Sequence, residues 1–221
     1  MKLSTILRET WCGKDIYRIL MNSACEGCAI GGKTVDVGSS TTLASYHRFL
    51  KRGENVSVEC VDLGFETGNG QGKRIDLETD SLPYGNETVD TVLMFNLLEH
   101  IYNYGRVVGE AKRVLKLGGS LIGAVPFLVN YHPDPHDYWR YTHETLRKIF
   151  SDELYFAAVR ITPFGYGPFT AAWSHMEQVF PRILKVFMLP LVLACDWLVL
   201  KLRPKMNKER FVLGYFFSVK K

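Results

Sequence analysis

The 221-residue chain lacks several features that would place it in a simple class. It has no block of basic residues: Lys+Arg 27 against Asp+Glu 23 gives a formal net charge of only +4, so charge balance gives no reason to expect a nucleic-acid partner. Its five cysteines are scattered and odd in number, unlike a disulfide framework. Charges also stand in residues 1–10, where a signal peptide needs an apolar stretch. We therefore expect a cytoplasmic protein.

Two motifs are incomplete. Cys25 and Cys28 have the spacing of a metal or redox motif, but the second pair that would complete four thiolate ligands is missing. We interpret them as structural cysteines. A G-x-G-x-x-G turn is also missing after the first strand pattern, which disfavours a nucleotide-dependent oxidoreductase.

A long uninterrupted apolar run is absent too. Sixteen of the 20 residues in 183–202 are apolar. However, the stretch between Lys185 and Lys201 has 15 residues, fewer than the about 17 that a membrane span needs. It also contains Pro190 and Asp196. We therefore predict that the segment does not cross a membrane.

Two alternatives remain open for the hydrophobic insert over 168–208. It forms a helical lid or a homodimer contact, which we favour slightly, or it lies in a membrane interface. Nearby basic residues would help the interfacial alternative: Lys201, Arg203, Lys205, Lys208 and Arg210.

Short apolar strand patterns alternate with helical ones through the middle of the chain. The strand patterns are Thr34–Val37, Val56–Val61, Arg74–Ile75, Thr91–Phe95 and Ser120–Val125. Gly118-Gly119 predicts a helix stop, and Thr142 predicts a helix N-cap. This alternation is typical of β-α-β units, and hence of an α/β protein whose parallel sheet is covered by helices on both faces.

We predict a single domain over 1–221. Its parts are N-terminal helices in 1–30, a core in 31–167, the insert in 168–208 and a final strand in 209–221.

Carboxylates follow three successive strand patterns. Asp36, Asp62 and Asp76 stand where those strands end, and ligands of open parallel sheets bind outside the carboxyl ends of the strands. Such a cluster repels phosphates and suits a ligand with a ribose diol, an amino group or a positive charge. Gly38, in the first turn, allows the backbone to approach that ligand closely.

A set of ordered motifs resembles the class I S-adenosylmethionine-dependent methyltransferases, in particular their type-11 branch. The resemblance covers roughly residues 30–150 and is specific as a set. The blocks that carry it are Val35-Asp-Val-Gly-Ser-Ser40, Asp62, Asp76-Leu77, Leu82-Pro83-Tyr84, Val89-Asp90, Asn96-Leu-Leu-Glu-His100, Glu110, Arg113-Val-Leu-Lys-Leu-Gly-Gly119 and Pro126.

The resemblance implies a Rossmann-like, seven-stranded, mostly parallel sheet whose last strand is antiparallel. Phe156–Thr162 and Phe211–Val219 fit the last two strands. It also implies S-adenosylmethionine as the cofactor. Asp36, Gly38, Ser39 and Ser40 would face its methionine part, Asp62 with Leu63 its ribose, Asp76 with Leu77 its adenine, and Asn96 would lie near the sulfonium.

The loop 130–141 crowds ionisable and aromatic residues over the expected site. His136 is the first candidate for a general base, with Asp137 as its orienting partner and His132 behind. Alternatively, Asp137 pairs with Arg140 to anchor the loop. We predict no metal site, because prolines restrict the triplet His132-x-Asp134-x-His136 and no fourth ligand is evident. We expect His100 to close the pocket.

The resemblance thus implies a methyltransferase acting on a small-molecule, glycan or lipid-linked acceptor. The alternative is a catalytically inactive, methyltransferase-like binding or interaction module, because Ser40 stands where the family usually has a second glycine. We expect no nucleic-acid partner. Contact with a membrane surface, or a homodimer, would use 168–208, and the former would make the protein a peripheral membrane protein.

Overall fold

The computed structural model describes residues 2–39, 44–64 and 72–221. The helices are α1 (Leu3–Trp11), α2 (Ile16–Ala24), α3 (Tyr104–Val114), α4 (His143–Arg147), α5 (Pro168–Met176) and α6 (Arg182–Leu202). The strands are β1 (Ala29–Ile30), β2 (Lys33–Val37), β3 (Lys51–Arg52), β4 (Ser57–Asp62), β5 (Gly72–Arg74), β6 (Val89–Phe95), β7 (Leu115–Pro126), β8 (Ala158–Phe164) and β9 (Gly214–Lys220). Short 3₁₀ turns lie at Ser45–Arg48, Leu98–His100, Glu177–Val179 and Lys208–Phe211, and a π turn lies at Lys148–Glu153.

Seven strands form the main sheet in the order β5-β4-β2-β6-β7-β9-β8. The strands from β5 to β7 are parallel, and β9 pairs antiparallel with both β7 and β8. The structure therefore confirms the predicted seven-stranded α/β fold with an antiparallel last strand. The last two strands begin two or three residues later than the patterns indicated.

The central strand β6 explains why the sheet is covered on both faces. Val92 and Met94 belong to one buried cluster with α3, while Leu93 and Phe95 belong to a second with α2 and α5. Successive side chains of a strand point to opposite faces. A continuous apolar run in β6 therefore requires helices on both sides of the sheet.

The glycine pair Gly118-Gly119, inside β7, has a different role from the one predicted. α3 ends at Val114, and β7 begins at once with Leu115. Val89 pairs with Leu115 but Thr91 pairs with Ser120, so residues 116–119 form a bulge. Gly118 lies there with φ of 76°, which suits glycine. The prediction of a helix stop at Gly118-Gly119 is therefore wrong.

The predicted cap of α4 is confirmed. The Thr142 hydroxyl accepts a hydrogen bond from the Thr145 N–H at 3.1 Å. This contact satisfies one of the free N–H groups in the first turn of the helix.

The hydrophobic insert is mainly α6, which packs against α1 and α5. At 21 residues it is long and apolar enough to cross a membrane by length and composition alone. Length therefore does not exclude a span, and the prediction that the segment does not cross a membrane stays a prediction. The buried Asp196 carboxylate accepts hydrogen bonds from the N–H groups of Phe169 and Thr170 at 2.8 and 2.7 Å. It thereby caps the first turn of α5 and fixes α6 to the domain.

Candidate active site at the carboxyl ends of the strands

Two adjoining cavities lie outside the carboxyl ends of the central strands. The large cavity has a volume of about 970 Å³ and runs from Asp62 and Asp76 to Tyr138. The small cavity has a volume of about 440 Å³ and lies between α2 and the loop 130–141. Residues shared by the two linings are Gly38, Asn96, His100 and Asp134. A ligand in one cavity would therefore contact a ligand in the other.

Six residues predicted to bind the cofactor line the large cavity: Gly38, Asp62, Leu63, Asp76, Leu77 and Asn96. Ser39 lines the small cavity, and Ser40 lies outside the described residues. The structure thus brings together residues from the ends of β2, β4, β5 and β6.

Gly38 forms the turn after β2. Its φ is 83°, and a Cβ atom added there would lie 2.7 Å from Cδ1 of Leu97. Its N–H donates to the Val61 carbonyl at 2.8 Å, which fixes the turn to β4. Glycine is therefore required at this position by both the backbone conformation and the available space.

The Asp36 carboxylate lies beneath the turn instead of lining either cavity. It is fully buried, accepts hydrogen bonds from the Tyr46 hydroxyl at 2.8 and 2.7 Å, and lies 2.6 Å from Nε2 of His47. Asp36 thus belongs to a buried polar cluster that supports the turn, and its contact with the methionine part of the cofactor stays a prediction. Burial of this kind is expected for a strand residue whose side chain points into the layer of helices.

The carboxylate of Asp62 remains partly available. One oxygen, Oδ1, accepts the Gly64 N–H at 2.6 Å. Burial raises the pKa of Asp62, and the neighbouring Asp134 carboxylate raises it further. Asp76 uses Oδ1 to accept the Glu78 N–H at 2.9 Å. The wall formed by Asp62, Asp76 and Asp134 is acidic, and it suits a ligand with hydroxyl donors and positive charge.

Asn96 is held by a residue that the sequence pattern did not single out. The Tyr17 hydroxyl on α2 donates to Asn96 Oδ1 at 2.6 Å. Burial raises the pKa of Tyr17 well above its usual range, so the phenol stays a neutral donor. Asp15, Tyr17 and Arg18 all line the small cavity. The N-terminal helices are therefore part of the site, although no motif in them predicted it.

The loop 130–141 is anchored by Asp137. This carboxylate forms two hydrogen bonds with the Arg140 guanidinium, one to each oxygen, and also accepts the His132 N–H at 2.9 Å. The Arg140 guanidinium lowers the pKa of Asp137 to about 2. Of the two alternatives for Asp137, the structure shows the Arg140 pair. Among the described residues, no hydrogen bond joins this carboxylate to His136. His136 itself is exposed and lines the large cavity.

His132 lies in the small cavity beside a carboxylate that sequence reasoning passed over. Nε2 of His132 and Nε2 of His100 each lie 3.8 Å from Oε1 of Glu99. The Glu99 carboxylate raises the pKa of His132, against the opposing effect of burial. The motif Asn96-Leu-Leu-Glu-His100 gave the residue types, but only the fold brings His132 to them.

A model of a methyltransferase domain matches residues 35–123, which include the end of β2, all of β4 and β6 and the site residues that follow these strands. An uncharacterised protein of Methanocaldococcus jannaschii is 31% identical over 91 residues, 41% of this chain. The chain spans 43% of the length of that curated relative.

Solved structures of low sequence identity share the fold. An Archaeoglobus fulgidus SAM-dependent methyltransferase superposes with a TM-score of 0.53 at 15% identity, over 89% of this chain and 88% of its own. Haemonchus contortus phosphoethanolamine N-methyltransferase 2, solved with S-adenosyl-L-methionine, gives a TM-score of 0.52 at 12% identity, over 91% of this chain and 51% of its own. The family match, the sheet topology and the position of the site at the strand ends all indicate the same fold. Residues 35–123 therefore match a methyltransferase domain, and the described sheet has the fold of the S-adenosylmethionine-dependent methyltransferases.

Proposed function

We propose that this chain holds S-adenosylmethionine in the large cavity and methylates a lipid-linked acceptor that enters the small cavity from a membrane surface. The observation that supports methyl transfer is that the two cavities adjoin. Their linings share Gly38, Asn96, His100 and Asp134. A donor and an acceptor in adjoining cavities meet without crossing bulk water. Holding two reactants in this way lowers the free-energy barrier to the transfer.

The residues of the large cavity fit the cofactor. Asp62 has a carboxylate oxygen beyond the one bound by Gly64 to accept ribose hydroxyls. Leu77, Ile75 and Ile101 supply apolar surface for the adenine. The acidic wall complements the positive charge of the sulfonium and amino groups. When bound, the cofactor supplies a methyl group on a sulfonium with a good leaving group, so this chain's residues act mainly by orientation.

Calorimetric titration with S-adenosylmethionine tests this assignment. We expect Asp62→Ala to weaken binding about 10- to 100-fold, the effect of losing hydrogen bonds to a charged group. Asp152→Ala removes an exposed aspartate outside both linings and is the matched control. Absence of binding by the wild-type protein would overturn the proposal in favour of an inactive module.

The acceptor class is inferred from the outer face of α6. The helix contributes no residue to either cavity lining, and most of its exposed side chains are apolar. Phe187, Leu191 and Leu202 are 70%, 60% and 70% exposed. The exposed apolar residues of α6 are Ile183, Leu184, Phe187, Met188, Leu191, Trp197, Leu198 and Leu202. Such a face, roughly 30 Å long, is typical of a helix that lies in a membrane interface.

The distribution of charge around this face favours a membrane as the surface that it binds. Residues 181–210 contain seven Lys and Arg residues and two acidic ones, while the other 191 residues contain 20 and 21. One of the two acidic residues, Asp196, is buried against α5. The excess positive charge of the chain thus lies around the apolar face, at both ends of α6. Anionic lipid head groups attract basic residues in this arrangement, by about 1 kcal/mol for each one near the surface.

Sedimentation with vesicles tests the membrane contact. We expect the wild-type protein to bind vesicles of phosphatidylcholine mixed with phosphatidylglycerol, and to dissociate in high salt. Phe187→Glu with Leu191→Glu abolishes this binding, whereas Leu117→Glu, at an exposed leucine in the bulge of β7, leaves it unchanged.

Two other outcomes would overturn the membrane contact. Dimers that dissociate in the Phe187→Glu, Leu191→Glu variant, without vesicle binding, would assign the face to a second copy of the chain. Binding that resists both salt and alkaline extraction would instead indicate that α6 spans the membrane.

A further inference from the structure

We propose that Glu99, His100 and His132 bind a divalent cation between the two cavities, and that this cation receives a hydroxyl of the acceptor. The cation site stands on the geometry of these three side chains. Its role in methylation rests on the proposed function.

The first observation is the state of the Glu99 carboxylate. Glu99 is fully buried, and neither carboxylate oxygen has a hydrogen-bond partner within the described part of the chain. The Glu99 backbone carbonyl accepts hydrogen bonds from the N–H groups of Tyr138 and Trp139. The side-chain carboxylate accepts none within the described residues. A buried carboxylate without a partner is strongly unfavourable unless a positive charge lies beside it. The unpartnered oxygens therefore favour a cation as the partner of this carboxylate.

The second observation is the orientation of the two histidines. His100 places Nδ1 2.5 Å from the His136 carbonyl, and His132 places Nδ1 2.8 Å from the Asn130 carbonyl. Carbonyl oxygens only accept hydrogen bonds, so these two contacts assign the proton of each neutral ring to Nδ1. In the neutral rings, the lone pair is then on Nε2, the atom that faces Glu99. Metal-bound histidines are commonly fixed by this kind of N–H contact to a backbone carbonyl.

The third observation is the spacing of the ligand atoms. One atom from each of the three residues lies within 4.8 Å of the other two, and both Nε2 atoms lie 3.8 Å from Glu99 Oε1. Bonds of about 2.0–2.2 Å from one central ion can bridge 3.8 Å. Because the His132 ring is 41% exposed on a loop, it can make the small adjustment that the longest separation requires. Imidazole and carboxylate ligands suit Mn²⁺, Fe²⁺, Co²⁺ or Zn²⁺.

Three protein ligands leave coordination positions open. His100 and His132 line the small cavity, and His100 also lines the large one, so these positions face the junction of the cavities. A hydroxyl that binds there loses its proton more readily. In the transfer, the proton leaves to water, an O–CH₃ bond forms and the S–CH₃ bond breaks. The electron pair of that bond stays on the sulfur, which becomes a neutral thioether. The site thus favours a hydroxyl acceptor such as a sugar.

Titration of the metal-free protein with MnCl₂, CoCl₂ and ZnCl₂, without cofactor, tests the site. We expect one-to-one binding, and His132→Asn to weaken it at least about tenfold. Co²⁺ bound by this set gives visible absorption bands that the variant loses. His175→Asn, at an exposed histidine outside the cluster and outside both cavity linings, is the matched control and keeps the wild-type affinity.

Glu99→Gln tests the buried ligand by the same titrations. Because Glu99 is fully buried, circular dichroism must first show that this variant folds. If it does not fold, the titration of His132→Asn alone tests the cation site. Equal affinities of wild type and His132→Asn, or no uptake of any of the three ions by the wild type, would overturn the inference. Binding of S-adenosylmethionine without binding of metal would sink the cation site alone and leave the methyltransferase proposal standing.

Discussion

The Tyr17 hydroxyl on α2 donates a hydrogen bond of 2.6 Å to Oδ1 of Asn96 at the end of β6. Asn96 lies at the junction of the two cavities and has φ of 51°. Because its oxygen is committed to Tyr17, its amide NH₂ group remains as a donor. The N-terminal helices thereby set the orientation of a polar group where donor and acceptor would meet.

Tyr17→Phe removes the hydroxyl and keeps the ring. We expect kcat for methyl transfer to fall about 3- to 10-fold, the size expected for losing one hydrogen bond, while KM for the cofactor changes less. Steady-state kinetics of the two proteins measures this. Tyr166→Phe is the control, because the Tyr166 hydroxyl donates to the Pro163 carbonyl outside both linings. Equal losses of kcat in the two variants would count against a special role for Tyr17.

The polar cluster beneath Gly38 gives a stability prediction. Asp36→Ala leaves the Tyr46 hydroxyl and His47 Nε2 without the buried carboxylate that they contact. We expect the free energy of unfolding to fall by about 1–3 kcal/mol for each buried polar group that loses its acceptor. Urea unfolding measures it. Unchanged stability with lost cofactor affinity would show instead that Asp36 contacts the cofactor directly.

The sequence was sufficient for the sheet and for much of the large cavity, because both depend on local pattern. Apolar runs located the strands, and the residues that end them, such as Asp62 and Asp76, reach the large cavity by topology alone. The bulge at Gly118-Gly119 was missed, because two glycines after a helical pattern fit a helix stop and a strand bulge equally well.

The contacts between distant segments could not be predicted from the sequence. Nothing in the pattern of α2 indicates that Tyr17 reaches Asn96. Spacing also drew attention to His132-x-Asp134-x-His136, whereas the fold joins His132 to Glu99. Such convergence is set by tertiary packing, for which a single sequence carries no periodic signal.

The buried Asp196 within the apolar helix α6 gives a third prediction. Asp196→Ala removes the acceptor for the N–H groups of Phe169 and Thr170. We expect a loss of about 1–3 kcal/mol in the free energy of unfolding, the cost of leaving a buried, capped helix end without its partner. Cys195→Ala, at the exposed neighbouring position, is the control in the same urea titrations. If both variants unfold alike, the cap adds nothing to stability.

The pH dependence of stability depends in part on Glu177, which binds the start of α2. Its Oε1 accepts the Ile16 N–H at 2.8 Å. Burial raises the pKa of Glu177 to about 7, with the Asp15 charge raising and the Lys185 charge lowering it. In the unfolded chain the group titrates near 4.5. Between these values the folded protein holds a proton that the unfolded chain has lost, so stability falls as the pH rises through this window.

Glu177→Gln removes this titration and keeps an oxygen that can accept the Ile16 N–H. The free energy of unfolding of the variant, relative to the wild type, is therefore expected to rise from pH 5 to pH 8 by up to about 3 kcal/mol. Urea unfolding at a series of pH values measures the difference, with the exposed Glu153→Gln as control. Parallel pH profiles for Glu177→Gln and the wild type would mean that this carboxyl titrates alike in the folded and unfolded states. Burial against α2 would then have no effect on its proton.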